Sequence, residues 1–179
     1  MRPALAIGLY LVDKRVVLVG VGAGADERAK RLELARARVV RVLPEAYVRD
    51  DISDAFLVMA QSGDSELDRR IALDARDAGV LAYAHDQPEV SDFAMPSVAR
   101  RGPLTIAIAT SATAPALARK LGRELQRMLD AAGASLDQLL SGMASARTAS
   151  GPARYQRLAE LADTVRVSGE LTIDSQPDS

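Results

Sequence analysis

The residues with the clearest capacity for chemistry form a glycine-rich turn near the start of the chain. Gly20, Gly22 and Gly24 follow a valine-rich run and precede residues 25–37, whose composition favours a helix. Glycine lets the backbone approach a pyrophosphate closely, and the unpaired N–H groups at a helix start point at phosphate oxygens. We therefore assign Gly20, Gly22, Ala23 and Gly24 to nucleotide binding. The alternative is a strand-to-helix connection without a ligand, which the position at the start of a βαβ pattern disfavours.

A second candidate is Asp86, which follows the predicted strand 80–84. The carboxyl ends of parallel strands meet at one edge of a sheet, so the strand ends at Gly20, Ser62 and Asp86 are expected to converge on one crevice. A carboxylate whose pKa is raised by burial in such a crevice is a candidate proton acceptor. The alternative is a turn residue that caps local backbone amides before Pro88.

Composition excludes several other kinds of site. The 23 Lys and Arg against 24 Asp and Glu give a net charge of −1, which provides no overall field for nucleic acid. The absence of cysteine excludes a disulfide, a thiolate nucleophile and a cysteine-ligated metal. The single histidine, His85, stands beside Asp86, and two ligands are too few for a tight metal site, so none is predicted.

No apolar run approaches the roughly 20 residues of a membrane span, and a soluble, cytoplasmic protein is predicted.

The hydrophobic pattern predicts an α/β fold in which a parallel sheet with its helices occupies the first part of the chain. Residues 5–12 form either an edge strand or an entry segment, Gly79 ends one helix, and Gly133 separates two others. One face of the long helix is apolar and predicts burial. The predicted strands are 16–20, 38–43, 55–60 and 80–84 with a hairpin at 97–109; the predicted helices are 25–37, 66–78, 116–132, 135–143 and 152–165; the apolar face comprises Leu117, Leu121, Leu125, Met128 and Leu129.

The end of the second strand bears on which nucleotide is bound. Dinucleotide-binding folds often place an acidic residue there to hold the adenosine ribose. Here the strand is followed by Pro44 and Glu45, which we count as cofactor-binding residues, whereas Arg41 is placed to meet a 2′-phosphate. The choice between NAD and NADP stays open at this point, with NAD preferred.

Several motifs, in their order and spacing, resemble the precorrin-2 dehydrogenase family, which includes the N-terminal half of siroheme synthase. The similarity covers about residues 5–165 and is most specific between Asp86 and Arg119. The segments that carry it are Gly20-Val21-Gly22, Asp86-Gln87-Pro88, Phe93-Ala94-Met95-Pro96-Ser97, Gly102-Pro103-Leu104 and Thr113-Ala114-Pro115-Ala116-Leu117-Ala118-Arg119.

The resemblance implies a Rossmann-like parallel sheet, a following dimerisation segment, a small helical C-terminal domain and a homodimer. The corresponding boundaries in this chain are 1–92, 93–133 and 134–167, with a tail at 168–179. It also implies NAD-dependent oxidation of precorrin-2 to sirohydrochlorin, in some members together with iron chelation. Asp86 then occupies the position of the aspartate implicated in both reactions, and Ser62 lies at the cofactor edge.

The implied substrate carries eight carboxylates, so a nearly neutral chain must gather positive charge locally. Arg100, Arg101, Arg119, Lys120 and the start of the helix at Ala116 supply such charge. The alternative for each basic residue is an ordinary solvated surface position. Thr110 matches a serine of the family pattern, and together with Ser111, Thr113 and Arg119 it is assigned to substrate binding.

The sequence departs from the family pattern at three places. The family's Gly-Gly-Gly reads Gly20-Val21-Gly22 here, and its following Val-Ala-x-Arg-Lys reads Gly24-Ala25-Asp26-Glu27-Arg28. Its later Gly-Gly reads Ser111-Ala112, and residues 43–55 are too few for one strand and its connection. These departures give weight to an alternative function, a non-catalytic NAD-binding regulatory module.

Overall fold

The computed structural model describes residues 5–111, 113–148 and 153–168. These residues form an α/β protein, as the sequence predicts. The elements in chain order are β1 (Arg15–Gly20), α1 (Gly22–Leu34), β2 (Arg38–Val42), β3 (Leu57–Gln61), α2 (Ser65–Asp77), β4 (Leu81–Ala84), β5 (Ser97–Arg101), β6 (Leu104–Ile108), α3 (Pro115–Thr148) and α4 (Ala153–Asp163), with two 3₁₀ helices, Pro44–Ala46 and Arg49–Ile52, between β2 and β3.

The chain divides into two compact units. The first comprises the described residues up to Ser97 together with Ile108–Arg119. The second comprises Val98–Ala107 and the described residues from Lys120 onward.

The centre of the first unit is a four-stranded parallel sheet in the order β2-β1-β3-β4. Val16 pairs with Val39 on one side and with Leu57 on the other, and Met59 of β3 pairs with Tyr83 of β4. All four strands therefore end at one edge. Gly20 and Gln61 stand opposite each other at that edge, directly beside the start of α1.

The sheet is covered on both faces, which explains the continuous apolar runs of β1 and β3. On one face Leu18 and Met59 pack with Ala29 and Leu32 of α1. The other face belongs to a second cluster, which contains Val17, Val58, and Ile71 and Ala75 of α2. The strands are thus fixed on two sides, and their carboxyl ends are held in register.

The connection from β2 to β3 is short, as the sequence indicates, and its described residues contain no strand. Tyr47 and Ile52 are buried in the cluster on the α2 face. The Tyr47 hydroxyl donates to Asp74 at 3.0 Å, and burial together with this carboxylate raises the pKa of Tyr47 well above its usual value. Arg15 closes the connection by donating to the Asp51 carbonyl at 2.8 Å and pairing with Asp54 at 2.6 Å.

The second unit combines the β5–β6 hairpin with helices. Within α3 the helix is interrupted at Gly133, whose φ of 50° and ψ of −136° are not helical, as the sequence predicts. Arg101 of β5 forms a bidentate pair with Asp137, at 2.8 and 2.6 Å, and this contact lowers the pKa of the Asp137 carboxyl. Across the described ranges, no helix is long and apolar enough to cross a membrane.

Some predicted boundaries and burials were wrong. Residues 5–11 form no strand, so the entry-segment interpretation holds, and α3 continues past residue 143 to Thr148. The apolar face of the long helix is only partly buried within the chain. Leu129 is 9% exposed, but Leu117 and Met128 are 50% and 42% exposed, because no element of the described chain covers them. Pro152, predicted as the first residue of the last helix, lies outside the described residues.

Candidate functional site

The turn between β1 and α1 needs glycine for two different reasons. A Cβ atom on Gly20 would lie well inside contact distance of the Gln61 backbone oxygen, so only glycine allows β1 and β3 to meet here. Gly22 has a φ of +83°, a left-handed conformation that side chains disfavour, and open space where its Cβ would be. The turn therefore brings bare backbone to the edge of the sheet.

The start of α1 is uncapped. The helix begins at Gly22, has no acidic residue in its first turn, and within the described chain no side chain caps it. In contrast, α2 is capped by Asp64, whose carboxylate accepts from the Glu66 and Leu67 amides at 2.9 and 3.3 Å. Of these two neighbouring helix starts, only that of α1 leaves its N–H groups for a ligand.

A pocket of about 530 Å³ lies between the end of β2 and the start of α2. Its polar lining is mainly acidic and includes the predicted Glu45, and Pro44 also lines it. The lining residues are Pro44, Glu45, Tyr47, Asp64, Glu66, Leu67 and Arg70. A pocket at the end of the second strand has the place and size for the adenosine half of a dinucleotide.

The predicted Ser62 lies directly after β3 and shapes the loop to α2. Its amide donates to the buried Asp68 carboxylate at 2.8 Å, and its hydroxyl donates to the Asp64 carbonyl at 3.0 Å. Ser62 thus fixes the strand end beside the pocket.

Asp86 stands at the carboxyl end of β4, on the same edge of the sheet. The preceding His85 amide donates to the Ala60 carbonyl of β3 at 3.0 Å, which fixes the turn, and Asp86 itself has a positive φ of 55°. Its side chain is 89% exposed, so the burial expected for this carboxylate is wrong, because the turn after β4 carries it outward; Oδ1 lies 3.6 Å from His85 Nδ1. The carboxylate is therefore accessible to a molecule that enters along this edge.

A contact network that the sequence did not reveal links the glycine turn to Asp86. Gln61 lies against Gly24, and its Oε1 accepts from Arg28 Nε at 2.5 Å. The Arg28 guanidinium in turn contacts the Tyr83 hydroxyl at 3.3 Å and His85 Nδ1 at 3.4 Å. Arg28 belongs to the charged side of a surface helix and Tyr83 to an apolar strand, so no local pattern marks either one.

The four predicted substrate-binding residues lie around the start of α3. The Thr113 hydroxyl donates to the Thr110 carbonyl at 2.5 Å, and Ser111 has a φ of 49°. Arg119 is exposed and has no ion-pair partner within the described ranges. Of the other predicted basic residues, Arg101 pairs with Asp137 and Lys120 with Glu124, so neither is an unpaired cation. These contacts form a turn before the helix, and a role in substrate binding stays a prediction.

The combined geometry fits a dinucleotide. It offers a backbone cradle at Gly20 and Gly22, an uncapped helix start, a pocket at the second strand and a carboxylate at the fourth strand. Within the part of the chain that the structure describes, no group of three or more His, Cys, Asp or Glu residues is placed to hold a metal ion.

Comparison with known proteins agrees with this geometry. The family model described as "Putative NAD(P)-binding" matches residues 7–97, slightly more than half of the chain. The siroheme synthase 1 of Serratia proteamaculans is 35% identical over 138 residues, which cover 73% of this chain and 29% of that protein. The siroheme synthase of Methylobacillus flagellatus is 30% identical over 146 residues, which cover 71% and 31%. The chain therefore spans less than a third of the length of these relatives.

A solved structure has the same fold. SirC, a precorrin-2 dehydrogenase, superimposes with a TM-score of 0.67 over 88% of this chain and 89% of that chain, at 18% sequence identity.

Proposed function

We propose a function from one premise: this chain belongs to the precorrin-2 dehydrogenase family, and residues 7–97 are its NAD(P)-binding domain. The proposed function is the NAD-dependent oxidation of precorrin-2 to sirohydrochlorin, a step of siroheme biosynthesis. The observation that carries it is the continuous edge of the sheet, where an open helix start at Gly22 and the Asp86 carboxylate are linked through side-chain contacts. A cofactor held at one end of this edge faces a proton acceptor at the other.

The chain's own residues divide the binding of the dinucleotide between them. The amides at Gly22, Ala23 and Gly24 would hold the diphosphate, because glycine leaves them bare and no side chain within the described residues caps them. The pocket with Pro44 and Glu45 would hold the adenosine. When bound, the nicotinamide supplies the hydride acceptor.

Charge around the adenosine pocket favours NAD over NADP. The carboxylates in its lining, those of Glu45, Asp64 and Glu66, outnumber the single cation, Arg70, so the net charge would repel a 2′-phosphate. Arg41, the sequence's candidate for that phosphate, instead donates to Asp26 at 2.7 Å. An occupied arginine and an acidic pocket both argue against NADP.

Asp86 is the proposed proton acceptor. Loss of a hydride from the tetrapyrrole leaves a positive charge that a departing proton neutralises, so a carboxylate at the reacting end suits the step. The turn geometry supports this role, since the His85–Ala60 hydrogen bond anchors the peptide directly before Asp86.

The test is an anaerobic assay of the purified protein with precorrin-2 and NAD, followed by the absorbance of sirohydrochlorin and NADH. We expect turnover with NAD, at least tenfold slower turnover with NADP, and a loss of about 100-fold in Asp86→Asn, in keeping with the usual contribution of a general base. A parallel reaction with sirohydrochlorin and ferrous ion measures chelation.

Two results would contradict this assignment. Full activity in Asp86→Asn would remove its catalytic role. Tight binding of NAD without oxidation of precorrin-2 would instead support a non-catalytic nucleotide-binding module.

A further inference from the structure

Arg28 is a partly buried cation of α1 whose side chain takes no part in the backbone turn between β1 and α1. We propose that it binds a carboxylate of the tetrapyrrole substrate and so orients the macrocycle toward Asp86. The inference rests on the proposed function, because it names a contact to that function's substrate. It concerns a residue that the nucleotide cradle does not use.

The guanidinium is held rigidly in one plane. Its carbon lies 4.5 Å from the centre of the Tyr83 ring, which is stacking distance for a cation over an aromatic face. Nε donates to Gln61 Oε1, and Nη2 reaches both the Tyr83 hydroxyl and His85 Nδ1. The Tyr83 ring is itself packed against Phe93 at a centroid distance of 5.8 Å. The charge is thus positioned before any ligand arrives.

The donors that remain are those an incoming carboxylate would use. The two N–H groups of Nη1 have no hydrogen-bond partner within the described chain, and no acidic side chain there pairs with Arg28. Two other partly buried arginines, Arg15 and Arg101, each hold a carboxylate at 2.6 Å. A cation that is partly removed from water gains most from an anion, and a guanidinium favours a planar carboxylate.

The position favours the substrate over the cofactor's diphosphate. The diphosphate site at Gly22 lies beside β1, whereas the guanidinium contacts side chains at the ends of β3 and β4. Two strand spacings separate β1 from β4, or about 10 Å. Arg28 therefore lies on the Asp86 side of the edge, where the reacting molecule would be.

The experiment compares Arg28→Gln with Arg28→Lys and with Arg31→Gln. Arg31 is the matched control, because it lies on the same helix and already pairs with Glu27. Binding of sirohydrochlorin and of NADH is titrated separately by fluorescence, at several salt concentrations, together with KM and kcat for precorrin-2. Circular dichroism verifies that each variant is folded.

We expect Arg28→Gln to weaken sirohydrochlorin binding and raise KM for precorrin-2 by about 10- to 100-fold, the usual value of a charge-assisted hydrogen bond. Its affinity for NADH stays within about twofold of wild type, and its sirohydrochlorin binding depends less on salt. Arg28→Lys recovers part of the loss, because it keeps the charge without the planar fork. Arg31→Gln behaves as wild type.

Three outcomes would overturn the inference. A loss of NADH affinity equal to that of sirohydrochlorin would assign Arg28 to the cofactor. Unchanged sirohydrochlorin binding in Arg28→Gln would leave the residue only a packing role. A wild-type protein that binds no sirohydrochlorin would show that this tetrapyrrole is not a ligand of the protein. If the wild type binds sirohydrochlorin but does not oxidise precorrin-2, the proposed activity fails, while a weaker affinity in Arg28→Gln still supports the carboxylate contact.

Discussion

Single residues decide how closely the strands of this sheet approach one another at the edge formed by their carboxyl ends. Gly20 is the clearest case, because its missing side chain leaves the space that the Gln61 backbone occupies. Gln61 in turn holds Arg28. One glycine therefore sets both the strand spacing and the position of a charged side chain.

A substitution at Gly20 tests this dependence. In Gly20→Ala the new methyl group forces the end of β3 away, so we expect a loss of about 1–3 kcal/mol of stability and a weaker affinity for NADH. Urea denaturation and NADH titration measure the two effects. Gly8→Ala is the control, since nothing lies within 4 Å of a Cβ there. Equal stability of the two variants would show that the edge adjusts freely.

At this scale the sequence revealed the backbone part of the site better than the side-chain part. Gly20 and Gly22 were predictable because a strand, a glycine turn and a helix follow one another locally. The contacts of Arg28 with Tyr83 and His85 were not, because they join residues 55 and 57 positions apart. Such contacts depend on the order of the strands, which hydrophobic periodicity does not contain.

At the scale of elements, the two helix starts beside the sheet differ in how their amides are satisfied. The start of α2 is closed by Asp64 and that of α1 is left open. A side-chain cap stabilises its own helix. An uncapped start lacks this stabilisation, and its backbone N–H groups stay free to bind a ligand.

Removal of the α2 cap should therefore lower the stability of the protein. We expect Asp64→Ala to lower the free energy of unfolding by about 1 kcal/mol, because two amides lose their acceptor, and Asp64→Asn to stay near wild type. Urea denaturation measures the change. An Asp64→Ala protein as stable as wild type would mean that water replaces the cap without cost.

The Arg101–Asp137 pair predicts a pH dependence in the second unit. Arg101 lowers the folded-state pKa of Asp137 below its ordinary value of 3.8, so the pair stabilises the fold above that pH and its contribution is lost as the pH falls through the folded pKa. We expect Asp137→Asn to be less stable than wild type at pH 7, with the difference shrinking below about pH 4. The urea midpoint as a function of pH measures it.

The neighbouring Asp130→Asn is the control for this pair. Asp130 lies 3.9 Å from Arg101, so its removal should have the smaller effect. A difference between wild type and Asp137→Asn that is the same at pH 3 and pH 7 would contradict the ion-pair explanation.

The sequence predicted most elements to within a few residues, because each has a local signal. Glycine marks the ends at Gly79 and Gly133, and continuous apolar runs mark β1 and β3. It also revealed that residues 43–55 are too few for another strand. It did not reveal that Tyr47 and Ile52, which belong to this connection, are buried in the cluster on the α2 face of the sheet. Two separated apolar residues in a polar segment have no periodicity.

At the scale of the whole molecule, apolar side chains remain exposed along α3. Leu117 and Met128, which lie on the apolar face predicted from the sequence, are 50% and 42% exposed. An apolar helical face left open in a single chain suits contact with a second copy. The homodimer implied by the family resemblance is thus still a prediction.

Light scattering after size-exclusion chromatography tests it. At micromolar concentration we expect a mass of twice the 19.0 kDa chain, and a shift toward the single-chain mass in Met128→Asp, because a charge would be buried at the contact. A wild-type protein with the mass of one chain would remove the dimer prediction.

The connection after β2 adds no strand within its described residues, which leaves β2 at the edge of the sheet. Among the described residues β2 is the last strand on its side of the sheet, so its outer backbone groups have no ladder partner there. An unpaired strand edge can pair with strands of other molecules and so start aggregation. Arg38 is exposed on this strand, the Arg41–Asp26 ion pair adds charge beside it, and Pro44 after it lacks an amide donor, so pairing with a further strand is disfavoured.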